Sequence, residues 1–159
     1  MAPITGSIEI DRPPQEVFEY SGDPTRLKEW QDAVRDIGVE TPGPPAAGTR
    51  VRETRQVPGG PRTFTWEYTD YEPPSRWSFQ VIDGPIRPRG TMTFSPLDGG
   101  QRTRADFQIE FKGHGIGVLF APLVRRSAPE QVRSDLANLK RRLEADRQPT
   151  SAPSGDAPA

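Results

Sequence analysis

The chain has 159 residues, a formal net charge of −1 and no cysteine. That length suits one domain with a buried core. The balance of 21 basic and 22 acidic residues gives no electrostatic case for a nucleic-acid partner, and the missing thiols exclude disulfides, thiolate metal sites and a cysteine nucleophile.

The N-terminus, MAPITGSIEI, has no basic region followed by an apolar run, and no stretch approaches the ~20 apolar residues of a membrane span, so a cytoplasmic protein without membrane insertion is expected. Ser7 to Asp11 alternates, with Ile8 and Ile10 on one face of a short strand. Pro13 and Pro14 fit the first turn of a helix that carries Val17 and Phe18 and stops at Gly22-Asp23-Pro24. Asp23 can cap a second short helix, TRLKEW, with Leu27 and Trp30 inward.

Strand signals follow. Residues 33–40 are a weak candidate, and 49–57 is polar at most positions. TFTWEYTDY sets Phe64, Trp66 and Tyr68 on one face, and WSFQV does the same with Trp77, Phe79 and Val81. GTMTFS offers Met92 and Phe94, and Asp98-Gly99-Gly100 reads as a hairpin turn. Arg104 to Phe111 alternates most clearly, with Ala105, Phe107, Ile109 and Phe111 opposite Arg104, Asp106, Gln108 and Glu110. KGHGIG then turns the chain into a helix over 118–146, where Leu119, Leu123, Val132, Leu136, Leu139 and Leu143 fall near one stripe. Ser127-Ala128-Pro129-Glu130 has the form of a capping box, which predicts a kink or break near Pro129. Residues 147–159 carry no large apolar side chain and read as a disordered tail after a domain at 1–146.

The order is α+β: a strand, two short helices, about six or seven antiparallel strands in all, and one long helix. Strands apolar on one side only make a sheet covered on one side, and the final helix is the element long enough to cover it. This order resembles the helix-grip fold of the Bet v 1/START (SRPBCC) superfamily, and more narrowly its bacterial polyketide cyclase/dehydrase-like group. SIEIDRPPQEVFEYSGDP, LKEW, WEYTDYEPPSRWSF, GHGIGVLFAPLV and DLANLKRRLE carry the likeness, which covers residues 5–146. The resemblance implies a curved sheet and a C-terminal helix enclosing a cavity for an apolar guest. It also implies a range of jobs, from lipid carriage to polyketide cyclisation.

A pocket between helix and sheet is therefore expected, walled by Phe64, Trp66, Tyr68, Phe79, Met92 and Phe94, with Phe107, Ile109, Leu119, Leu123, Val132 and Leu136. Tyr68 is the expected polar anchor, because its hydroxyl lies on the apolar face and needs a partner. Glu67 and Glu110 fall on the opposite, wet face. His114, the one histidine, lacks a nucleophile or second histidine to work with, and its glycines lack a phosphate-binding spacing. The segment reads as a hinge. The basic runs Arg125-Arg126 and Lys140-Arg141-Arg142 alternate with acids and read as a solvated helix face. No catalytic residue, metal or cofactor is assigned. The function expected is binding of a small hydrophobic or aromatic molecule, with a cyclase/dehydrase enzyme and a protein-interaction module as alternatives.

Overall fold

The computed structural model describes residues 3–112, 115 and 117–145. The expectations for His114 and for the tail at 147–159 fall outside the described residues. The strands are β1 (Ile4–Ile10), β2 (Val34–Val39), β3 (Arg50–Val57), β4 (Gly60–Glu72), β5 (Arg76–Val81), β6 (Arg89–Leu97) and β7 (Arg102–Glu110). The helices are α1 (Pro14–Ser21), α2 (Leu27–Trp30) and α3 (Gly117–Ala145). The strands form one antiparallel sheet in the order β1-β7-β6-β5-β4-β3-β2, so the first strand closes against the last. This is the α+β helix-grip architecture expected from the sequence.

Local chemistry sets the boundaries. Pro14 opens α1, where its missing N–H costs nothing. Asp23 Oδ1 accepts from Thr25 N at 3.0 Å and from Thr25 Oγ1 at 2.7 Å, capping the turn that leads into α2. Gly99 and Gly100 have φ of +69° and +92° at the tip between β6 and β7, a region that favours glycine. Gly115 has φ +59° where the chain turns from β7 toward α3. That agrees with a glycine chosen for its backbone freedom.

The second half of α3 is anchored at many points. Asn138 Nδ2 donates to Trp30 O (3.2 Å) and Arg142 Nε to Glu29 O (2.9 Å), tying α3 to α2. Lys140 Nζ donates to Glu9 O at 2.7 Å, Arg12 Nε to Leu143 O at 2.9 Å, and Asp11 N to Glu144 Oε1 at 3.0 Å. Lys140 and Arg142 therefore hold the helix in place as well as facing water. Val132, Leu136, Leu139 and Leu143 are buried. At Gly6 of β1 a Cβ would lie 2.8 Å from Val132 Cγ1 and 2.9 Å from Leu136 Cδ1, so the absent side chain sets how closely α3 packs.

α3 is helical through both Pro122 and Pro129. A kink or break is expected near Pro129, and of the two the break is absent. Ser127 Oγ donates to Val124 O at 3.1 Å, a bond to the preceding turn that replaces the capping role.

Candidate ligand site on the inner sheet face

Alternation along each strand and the antiparallel register bring side chains into lines across the inner face. One line runs Tyr68, Phe79, Gly90, Ile109 and Ile4; the next runs Tyr71, Trp77, Met92, Phe107 and Gly6. Gly90 leaves room for the Phe79 ring, whose Cε1 would lie 2.6 Å from an added Cβ. Trp66 stands edge-on to Tyr68, with ring centres 5.1 Å apart, and to Phe79, 5.9 Å apart, geometries that aromatic pairs favour.

The structure sorts the twelve expected wall residues into three groups. Trp66, Tyr68, Met92 and Phe94 from the sheet and Val132 and Leu136 from α3 are buried in the core. Phe64, Phe79, Phe107 and Ile109 are partly exposed and packed against that core. Leu119 and Leu123 are 78% and 53% exposed. The last pair is explained by helical phase: nine residues separate Leu123 from Val132, about 900° of rotation, which is half a turn out of step. Two open clefts lie on the surface, and Phe107 is the one expected wall residue that lines either of them. One is lined by residues such as Thr5, Ser7, Arg104 and Phe107, and the other by residues such as Asp23, Val39 and Pro45.

Tyr68 is in the core, and its hydroxyl donates to Gly22 O at 2.8 Å. Burial raises its pKa well above the usual phenol value, with Tyr71 adding to the effect. Trp77 Nε1 donates to Ser21 Oγ at 3.1 Å in the same way. Both aromatic polar tips are held at the C-terminal end of α1, by its last residue and its cap. Glu67 and Glu110 lie on the outer face, paired with Arg50 at 3.2 Å and Arg89 at 2.8 Å.

A charged cluster also reaches inward. Glu53 is 3% exposed. Its Oε2 accepts from Trp66 Nε1 at 2.8 Å and its Oε1 from Arg55 Nε at 2.6 Å. The Arg55 guanidinium also donates to Gln31 Oε1. From α3, buried Asp135 accepts from Gln131 Nε2 at 2.9 Å, and burial pushes its carboxyl up to about 6. Arg55 pulls the other way, while Asp32 and Glu53 add to the rise. The inner face thus joins an aromatic surface to carboxylates and a guanidinium that can hydrogen-bond a polar group on a guest. Among the described residues no cluster of three or more His, Cys, Asp or Glu side chains could hold a metal.

Glu53, Arg55 and Asp135 are absent from the expected site. The signal for the first two was present: Val51, Glu53 and Arg55 share one face of β3, and Val51 pairs with Trp66. Following that alternation from Val51 places Glu53 inside despite its charge.

A seven-stranded sheet with a long helix against it and an aromatic inner face defines a helix-grip protein. The chain belongs to the family described as polyketide cyclase/dehydrase and lipid transport, whose model matches residues 1–144. Among curated proteins it is similar to Toxin Rv0910 of Mycobacterium tuberculosis, 32% identical over 139 residues, covering 84% of this chain and 95% of the relative. Among solved structures, TTHA0849 from Thermus thermophilus superposes with a TM-score of 0.76 at 25% identity, covering 92% of this chain and 99% of that one. The Zhui aromatase/cyclase from a Streptomyces superposes with a TM-score of 0.72 at 15% identity, covering 92% and 98%. The latter likeness establishes the fold alone. No helix among the described residues is long and apolar enough to cross a membrane.

Proposed function

We propose that the protein binds a small hydrophobic or aromatic molecule of lipid or polyketide type against the inner sheet face. The observation that carries this reading is the set of partly exposed side chains, Phe64, Phe79, Phe107 and Ile109, lying beside fully buried Trp66 and Tyr68. Exposed apolar surface of this kind gains free energy when a guest covers it. The family description, which includes lipid transport, supports the same reading. Native mass spectrometry of freshly purified protein should reveal a co-purified small molecule. Anilinonaphthalene sulfonate should bind with a fluorescence rise that Phe79→Ala and Phe107→Ala both weaken. A protein with no co-purified molecule and no probe binding would remove the proposal. The enzymatic alternative, a cyclase or dehydrase, draws on Asp135, whose carboxyl burial pushes up to about 6.

A second reading, a growth-inhibiting toxin, is supported by the 32% identity to the M. tuberculosis proteins named toxins. Induced expression in a bacterial host tests it. Arrested growth supports that role, and unimpaired growth at confirmed expression removes it.

A further inference from the structure

The first turns of α3 do not behave as core. Val118, Leu119 and Leu123 are 59%, 78% and 53% exposed, and with Val39 they are the large hydrophobic side chains left exposed among the described residues. At about 100° per residue, Val118, Pro122, Arg126, Leu119 and Leu123 share an arc of about 140° that begins in line with Leu136 and ends at Leu123, half a turn from Val132. Burial on the stripe of Val132, Leu136 and Leu139 begins only at Ala128. Scattered exposed leucines need no explanation, but three aliphatic side chains on one outward helix face form a patch.

Charge decides what the patch suits. From Phe111 to Pro129 the sequence contains no acidic residue, while Lys112, Arg125 and Arg126 are basic. Lys112 and Arg126 are exposed. Arg126 closes the apolar arc at its C-terminal end, where its stem can lie along the leucines while its guanidinium reaches outward. An apolar helix face flanked by cations and free of acids matches an anionic lipid surface. A stable protein partner needs about 800 Å² per side, more than three aliphatic side chains over two turns provide.

We propose that the outward face of α3 from Val118 to Arg126 docks on an anionic phospholipid bilayer, with Val118, Leu119 and Leu123 entering the boundary between headgroups and acyl chains. Arg126 and Lys112 meet the lipid phosphates. The helix lies on the surface and does not cross it. This inference rests on the exposed face of α3 and stands apart from the guest proposed for the sheet.

The test is co-sedimentation of the full chain with phosphatidylcholine vesicles, with and without phosphatidylglycerol. Binding should require phosphatidylglycerol and fall as salt rises. Leu119→Asp with Leu123→Asp should abolish it, and Arg126→Glu should weaken it about tenfold or more. These positions face solvent, so circular dichroism should show unchanged folding. Because the chain has no cysteine, a single Leu119→Cys variant can carry an environment-sensitive dye, whose emission should shift to the blue on adding anionic vesicles. The same dye at Gln80→Cys, an exposed position on β5, should not respond. Three results would overturn the proposal: no phosphatidylglycerol-dependent binding, equal binding by the double aspartate variant, or a wild-type dimer in the ultracentrifuge that Leu119→Asp dissociates. The last would show that a second copy covers the face.

Discussion

The indole N–H of Trp66 donates to Glu53 Oε2 at 2.8 Å, and both side chains are buried. A carboxylate in such a place is tolerable because Arg55 satisfies its other oxygen at 2.6 Å. Removing it strands a buried indole donor and a partly buried guanidinium. Glu53→Ala should therefore lose ~3 kcal/mol of stability. Glu53→Gln should lose less, since its amide oxygen can still accept from Trp66. Urea unfolding of the three proteins checks the order, and an alanine variant with the wild-type midpoint would show that the cluster contributes nothing.

Tyr68 holds the wall to the segment after α1 through its 2.8 Å bond to Gly22 O. With the donor committed there, Tyr68→Phe should act on stability, by about 1 kcal/mol, and leave probe affinity nearly unchanged. A large fall in affinity at unchanged stability would instead make the hydroxyl a guest anchor.

Much of the fold was legible because period-two alternation survives in the strands that line the core. Ala105, Phe107 and Ile109 on β7 all face inward as the pattern predicts. β3 was harder, since burial there is decided by hydrogen bonding as well as by polarity. Glu53 looks like a surface residue until its bonds to Trp66 and Arg55 are known. The α3 stripe misled for a geometric reason. A spacing of nine is a multiple of three, yet it turns a helix by a half-revolution, so Leu119 and Leu123 lie outside while Val132 and Leu136 lie inside. At Pro129 the capping-box pattern allowed a break, and the helix continues through it.

Asp135 gives the protein a pH signature. Its carboxyl is raised from 3.8 to about 6 in the folded chain, mainly by burial. The folded state therefore holds a proton that the unfolded state has released, and stability falls as pH rises from about 4 to about 6. The full effect is on the order of 3 kcal/mol, lost by pH values above about 7. Asp135→Asn keeps an acceptor for Gln131 but cannot ionise. It should be more stable than wild type at pH 8 and should lack the decline between pH 4 and 6. Denaturant midpoints for both proteins across this range decide the matter, and parallel profiles would remove Asp135 as the cause.

The closeness of α3 to β1 should depend on the missing side chain at Gly6. A Cβ there would sit 2.8 Å from Val132 Cγ1 and 2.9 Å from Leu136 Cδ1, well inside normal contact. Alanine ordinarily gains ~0.5–1 kcal/mol over glycine within a strand. Here the clash opposes that gain, because Val132 is β-branched and its methyl cannot swing away without leaving its rotamer. The helix must shift, and it is anchored to α2 and to the end of β1 by Asn138, Lys140 and Arg142. Gly6→Ala should therefore cost about 1–3 kcal/mol. Val132→Ala should also destabilise, through a cavity. The double variant should be more stable than the sum of the two losses predicts, by about 1–2 kcal/mol, because the new methyl occupies the space the old one left. A double-mutant cycle by urea unfolding measures that coupling. If Gly6→Ala is as stable as wild type, or the two losses simply add, the contact at Gly6 does not set the packing distance of α3.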